Sequence, residues 1–285
     1  MARQTVRELI KTGEFIIAPG VFDMISAKIA DASAAKLLYL TGYGTVASHL
    51  GLPDAGIATY SDMVSRVERM ANGVSKPLIA DGDTGYGGLL NVHHTVRGYQ
   101  RSGAAGIQLE DQEFPKKCGH TPNRRVVTTD TMVRKIQVAA DARASADFVI
   151  VARTDARTSL GLDEALRRGD AYARAGADIL FIESPENEEE LAHIGRAFDV
   201  PVLANMVHGG RTPVLAAKRL QALGFRIGIY PVVGFLAMAE ALRCAYDSIA
   251  AGEAQPPVPL YDFSAFNQLI GFPQIWAFER RYPET

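Results

Sequence analysis

Asp81 and Asp83 flank Gly82 at the end of an apolar run, and Glu110 closes another, Gly106–Glu110. Carboxylates with no Cys or His beside them suit a hard divalent cation, Mg²⁺ or Mn²⁺, rather than zinc. On a strand, positions i and i+2 point the same way, and Gly82 leaves room between the two aspartates. A lone Asp-x-Asp pair reads more simply as a solvated acidic loop; Glu110 at a neighbouring strand end turns the balance toward a metal site. Arg153 ends the run Phe148–Arg153. A buried arginine needs an anionic partner. That partner is either a substrate carboxylate, which its planar fork suits, or an internal one, Asp155 or Glu183. Lys116-Lys117-Cys118-Gly119-His120 forms a polar stretch in which two lysines and a histidine favour a thiolate at Cys118. Gly119 lets that stretch bend, as a lid over a reacting substrate would. Cys244, in an alanine-rich helix, reads as core. His49, His93, His94, His193 and His208 lack a comparable context, although His208 follows Asn205 closely.

Short apolar runs alternate with helical stretches, and this order must position those residues. The expected strands are 14–19, 36–41, 77–82, 106–110, 148–153, 178–183, 200–205 and 225–231, each of the continuous apolar kind that is buried on both faces. Helical signals lie between them at 61–71, 91–102, 130–143 (Asp130 as N-cap), 163–174 (Gly176 as C-cap), 188–198, 213–223 and 235–251. Eight strand–helix units predict an α/β fold, a (β/α)₈ TIM barrel over residues 1–250. An open doubly wound sheet would want a glycine-rich loop after its first strand, and Pro19-Gly20-Val21-Phe22 is not one. Chemistry in a barrel belongs at the C-terminal strand ends. Those ends carry Tyr39 and Thr41, Asp81 and Asp83, Glu110, Arg153, Glu183 and Asn205.

Composition bounds the function. The 285 residues are 47% hydrophobic and 22% charged, as in an ordinary folded protein. Thirty basic against 32 acidic residues, without long blocks of like charge, exclude a nucleic-acid footprint. Two cysteines cannot build a disulfide framework, which points to a reducing compartment. The opening MARQTVRELIKTGEF has no apolar signal core, and no segment approaches the roughly 20 apolar residues of a membrane span, so a cytoplasmic location is expected. Residues 251–285 begin with a proline-rich linker and continue as an aromatic tail, read as a helical arm exchanged between subunits or folded on its own barrel.

GLPDAG at 51–56, DGDTGYGG at 81–88, QLEDQ at 108–112, KKCGH at 116–120, VARTDA at 151–156 and NMVHGGRTP at 205–213 together resemble the isocitrate lyase / phosphoenolpyruvate mutase superfamily over nearly the whole chain. KKCGH resembles the catalytic loop of its carbon–carbon lyase branch; the phosphonate branch typically lacks that Cys. The resemblance implies Mg²⁺-dependent retro-aldol cleavage of a 2-hydroxy di- or tricarboxylate. Asp83 would bind the metal, with Asp81, Glu110 and Asp54 acting through water. Tyr39, Thr41, Gly42 and Tyr43 would hold the 2-hydroxy acid end, with Tyr39 near the hydroxyl as an acid/base group. Arg153 would grip a carboxylate, and Cys118 would protonate the enediolate product. His120, Glu183 and Asn205, with Gly119, would orient the loop and the second carboxylate. The resemblance also implies a homotetramer, a dimer of dimers with exchanged C-terminal helices.

Within that branch, isocitrate lyases are much longer than this chain. Methylisocitrate lyase has a similar KRCGH loop but typically Ser-Gly-Gly-Gly where this chain has Thr41-Gly42-Tyr43-Gly44. The tail and NMVHGGRTP look closer to petal-death-type and dimethylmalate lyase-type proteins, and a tyrosine at 43 favours a small alkylmalate. The alternatives are an oxaloacetate hydrolase, phosphonopyruvate chemistry on the same barrel, and a silent keto acid binder.

Overall fold

The computed structural model describes residues 3–119, 121 and 124–283. Among these, eight parallel strands close into a barrel in chain order: β1 (Ile16–Val21), β2 (Leu38–Leu40), β3 (Leu78–Asp81), β4 (Gly106–Glu110), β5 (Val149–Thr154), β6 (Ile179–Ile182), β7 (Val202–Asn205) and β8 (Ile227–Tyr230). β8 returns to β1 with Ile16 opposite Ile227, so no strand edge is left open. The helices up to β5 are α1 (Val6–Lys11), α2 (Met24–Ala32), α3 (Gly42–Leu50), α4 (Tyr60–Gly73), α5 (Leu89–Arg101) and α6 (Thr129–Ala142). Those after it are α7 (Ala156–Leu160), α8 (Leu162–Arg174), α9 (Glu188–Arg196), α10 (Ala217–Leu223), α11 (Val233–Ala250), α12 (Phe263–Ile270) and α13 (Phe272–Arg281).

The two-residue strand period divides the apolar side chains between the barrel's interior and its helical coat. Ile16, Ala18, Tyr39, Ile79, Val149, Val151, Phe181 and Ile229 form one cluster, to which α1 adds Val6 and Leu9. Leu38, Leu40, Ala80, Ile107, Leu109, Ile150 and Leu180 face the other way, against Met63, Val67 and Met70 of α4, Val96 and Tyr99 of α5, and Ile136 of α6. Both faces are therefore dry, which is why the strands read as unbroken apolar runs. Truncating Met63 or Met70, each 1% exposed, to alanine costs about 2–5 kcal/mol.

Several helices differ from the sequence expectation. α2 was not expected, although Asp23 and Ser26 form a reciprocal capping box at its start. α3 was not expected either. α6 begins one residue before the expected Asp130, and its cap is Thr128, whose hydroxyl accepts from the Thr131 amide. α10 begins at Ala217 rather than Pro213. Gly176 lies one residue beyond the cap of α8 with φ +111°, the left-handed position expected of a terminating glycine. The chain forms two compact units, one running to Phe235 and one from Leu236. In the second, Gly271 (φ +102°) separates α12 from α13, and Phe263, Ile275, Trp276 and Phe278 are exposed. Among the described residues no helix is long and apolar enough to cross a membrane. Cys244 is not core as expected: it is half-buried on α11, with its thiol 3.4 Å from Glu240 Oε1.

Candidate active site

The polar strand ends converge at the C-terminal mouth of the barrel, and nearly all of them are buried. Asp54, Asp81, Asp83, Glu110, Arg153 and Glu183 are each at most 8% exposed. Asp81 is the last residue of β3, and its two oxygens have separate partners. Oδ2 accepts from the Gly42 amide at the start of α3 (3.3 Å). Oδ1 accepts from the Asp83 amide (3.1 Å) and from Gln108 Nε2 (3.2 Å). Gly42 must stay small, because a Cβ there would stand 2.7 Å from Asp81 Oδ2.

Asp81 and Asp83 do not share a strand face as the i, i+2 spacing suggested. β3 stops at Asp81, and Asp83 has a left-handed backbone with φ +49°. The turn brings its carboxylate back toward that of Asp81 instead. The sequence reason for the tight turn is Gly82: a Cβ there would lie 2.6 Å from Ile107 and 2.9 Å from the Gln108 carbonyl.

Lys116 supplies the charge between these acids. Its Nζ lies 2.5 Å from Asp54 Oδ1 and 2.6 Å from Asp83 Oδ1. Burial alone would lower its pKa, but Asp83, Asp54, Glu110 and Asp81 override that and hold it well above the usual lysine range. Burial pushes Asp83 up to about 7 against the opposing pull of Lys116. Burial likewise raises Asp81, and it raises Glu110 well above the ordinary carboxylate range against the pull of Arg153. The sequence reading gave Lys116 a different task, favouring a thiolate at Cys118. The structure corrects this: the ammonium is committed to carboxylates.

A second cluster adjoins the first. Arg153, at the end of β5, donates from Nε and Nη2 to the two oxygens of Asp155 (2.9 and 2.8 Å). Nη2 also lies 3.3 Å from Glu183 Oε2, and Nε lies 3.5 Å from Glu110 Oε2. The internal ion pair is thus realised, with Asp155 and Glu183 both engaged. Arg124 pairs with Asp155 from the other side. Burial would raise Asp155, but Arg153 and Arg124 outweigh it and hold the carboxyl below its usual range. Glu183 accepts from Asn205 Nδ2 (3.0 Å) and from the Ser184 amide (2.7 Å).

The loop that carries Cys118 is docked onto this cluster. A Cβ on Gly119 would stand 2.2 Å from Arg153 Nη2 and 2.9 Å from Glu183 Oε2. Ser184 Oγ donates to the Gly119 carbonyl (3.2 Å), and the Cys118 amide donates to the Asp54 carbonyl (3.2 Å). Gln112 clasps Lys117 in both directions, Nε2 to its carbonyl (2.8 Å) and Oε1 from its amide (3.0 Å). Cys118 is half-buried, and neither cysteine is in a disulfide. His120 lies outside the described residues.

Tyr39 stands lower in the barrel. Its hydroxyl donates to Gln108 Oε1 (2.7 Å), and Gln108 in turn donates to Asp81. Burial, reinforced by Asp81, holds the phenol well above its ordinary pKa. That geometry links Tyr39 to Asp81 through Gln108. Thr41 is buried at the base of α3. The Tyr43 ring sits edge-on to Phe235, with centroids 6.0 Å apart.

Among the described residues, no three ligating side chains gather tightly enough to cage an ion unaided. The donor set, carboxylates alone, is of the chemical kind that suits a hard ion holding most of its own water. Glu110 Oε1 is a further sign: it is buried and accepts no hydrogen bond among the described residues, an acceptor without a donor.

The model for phosphoenolpyruvate phosphomutase matches residues 6–250. The chain belongs to the phosphoenolpyruvate mutase / isocitrate lyase superfamily. It is 46% identical to 2,3-dimethylmalate lyase of Eubacterium barkeri over 97% of this chain and 96% of that protein. It is 38% identical to 2-methylisocitrate lyase of Aeropyrum pernix, over 94% and 86% respectively. A solved structure of oxaloacetate acetylhydrolase with 3,3-difluorooxalacetate superposes with a TM-score of 0.93 at 36% identity, covering 99% of this chain and 97% of that one. These two relatives are named as lyases, and the solved structure of the same fold as a hydrolase.

Four residues of the site carried no role in the sequence reading: Gln108, Lys116 as a carboxylate partner, Arg124 and Ser184. Gln108 had a usable signal, since it lies two positions before Glu110 on the same strand face. The other three act across loops, and sequence spacing does not reveal such contacts.

Proposed function

We propose that this enzyme is a Mg²⁺-dependent carbon–carbon lyase of an alkylmalate-type 2-hydroxy dicarboxylate, for which 2,3-dimethylmalate is the first candidate. In that reaction the bond between the hydroxyl-bearing carbon and its neighbour breaks. The products are a 2-oxo acid, such as pyruvate, and an enediolate that takes a proton to become the second carboxylate. The observation that supports the reading is the docking of Gly119 on Arg153 and Glu183, next to Cys118. It brings the loop characteristic of the lyase branch onto the charged strand ends, and the 46% identity to a 2,3-dimethylmalate lyase agrees with it.

Asp83 would hold the ion directly, with Asp81, Glu110 and Asp54 binding its waters. Bound there, Mg²⁺ would polarise the oxygens of the 2-hydroxy acid end. The Gly42 amide and Thr41 lie on the α3 side of that position. The buried carboxylates, whose pKa values burial raises, are suited to accept the hydroxyl proton. Arg153, held in place by Asp155, supplies positive charge toward the second carboxylate, and Glu183 with Asn205 orients that end. Cys118 gives the proton to the enediolate carbon, and the docked loop keeps water from competing. We extend the reading to a cytoplasmic homotetramer. The exposed aromatic residues of α12 and α13 support an arm that packs on another copy, and light scattering of the purified protein tests it.

A second reading, hydrolysis of oxaloacetate, is favoured by the 0.93 TM-score to oxaloacetate acetylhydrolase. Release of 2-oxo acid or oxalate, with and without Mg²⁺, from 2,3-dimethylmalate, 2-alkylmalates, methylisocitrate, isocitrate, oxaloacetate and phosphonopyruvate separates these readings. Mg²⁺-dependent cleavage of a malate-type compound supports the first. Turnover of oxaloacetate or phosphonopyruvate alone replaces it.

A further inference from the structure

The mechanism leaves Lys116 without a chemical task, yet the fold goes to some length to bury it. Its side chain is 3% exposed, and its ammonium bridges Asp54 and Asp83 at 2.5 and 2.6 Å. An ammonium is kept in such a place only where opposite charge offsets its lost hydration. Its backbone is fixed as well: Gln112 clasps Lys117 on one side, and a Cβ on Gly56 would stand 3.2 Å from the Lys116 amide nitrogen. The oxygen that Lys116 contacts on Asp83 belongs to the carboxylate assigned to the ion.

We propose that the Lys116 ammonium and the divalent cation are alternative partners of Asp83, so that Lys116 is an intramolecular competitor that weakens the site's hold on its ion. This rests on the Mg²⁺ reading given above. An arriving ion takes Asp83 from Lys116 and leaves the ammonium with Asp54. The two cations then repel one another across a few ångströms of dry interior. Because Lys116 is two residues from Cys118, ion binding and the seating of the cysteine loop become linked.

Direct titration with Mn²⁺, read as the free-ion electron paramagnetic resonance signal, tests this without turnover. Wild type, Lys116→Met and Asp83→Asn are compared, with Mg²⁺ as the displacing ion. Lys116→Met should bind Mn²⁺ at least about tenfold tighter than wild type, and Asp83→Asn should lose the site. Binding to Lys116→Met alone also supports the proposal. If wild type binds and Lys116→Met binds no tighter, the competition is wrong while the metal reading stands. If neither binds, or if Asp83→Asn binds as wild type does, the metal reading falls and the competition with it. Should Lys116→Met fail to fold, amine acetylation of the wild type followed by mass spectrometry decides. Saturating Mn²⁺ should speed modification of Lys116 severalfold relative to the exposed Lys117; an unchanged or slower rate overturns the proposal.

Discussion

Gly119 lies so close to Arg153 that a single added methyl group would stand 2.2 Å from the guanidinium Nη2. With a side chain at residue 119 the cysteine loop can seat only if Arg153, held by Asp155, and Glu183 give way. Gly119→Ala should therefore cut turnover by about 10² or more, since small misplacement of reacting groups is that costly. The apolar core clusters contain no residue of 114–119, so thermal unfolding should shift by only a few degrees. A variant with near wild-type kcat would show that the docked position is not the reacting one.

Cys118 is the group assigned to protonate the nascent carbon. Cys118→Ser keeps the size but replaces the thiol with a far weaker acid. Turnover should drop by about 10²–10⁴, the range general acid catalysis contributes. Mn²⁺ binding should be unchanged, because the variant keeps the backbone amide that Cys118 donates to the Asp54 carbonyl. Activity within a few-fold of wild type would remove Cys118 from the mechanism.

Cation affinity should depend on pH through Asp83. Burial raises this carboxyl to about 7, so below that pH the folded protein holds a proton which an ion must displace. Affinity should rise by up to about tenfold per pH unit from 5 toward 7 and flatten above. Mn²⁺ titrations at several pH values measure this slope. A flat profile between pH 5 and 7 would mean that Asp83 is ionised throughout.

Asp155 neutralises two buried guanidiniums at once, those of Arg153 and Arg124. Removing it deprives Arg124 of that carboxylate and leaves Arg153 with its longer contacts to Glu183 and Glu110. Asp155→Ala should destabilise the fold by about 3–5 kcal/mol in denaturant titration, far beyond the cost of a surface ion pair. A loss below 1 kcal/mol would mean that the cluster repacks or takes up solvent.

The barrel was legible because each strand is buried on both faces, so runs such as 148–153 and 178–183 carry one uninterrupted apolar signal. The polar residues that end those runs were legible for the same reason: Asp81, Glu110, Arg153 and Glu183 break an apolar pattern where a solvated loop had not yet begun. What lay hidden depends on turns and long-range docking. The partnership of Asp81 and Asp83 comes from a left-handed residue after the strand, not from strand alternation. Lys116 reads in sequence as a neighbour of Cys118, and only the folded loop turns its side chain the other way, onto Asp54 and Asp83. α3 escaped because Thr41 makes no side-chain cap and its first residues, Gly-Tyr-Gly, look like a turn. Cys244 was misjudged because α11 exposes most of its apolar surface within this chain, so an alanine-rich sequence did not mean a buried position.

The lyase reading stands or falls on one measurement: pyruvate released from 2,3-dimethylmalate by the purified enzyme, with Mg²⁺ and again after chelation. The account predicts stoichiometric pyruvate with Mg²⁺, loss of at least about 10² in rate on chelation, and recovery on adding the ion back. No pyruvate with Mg²⁺ present, or the same rate after chelation, would contradict it.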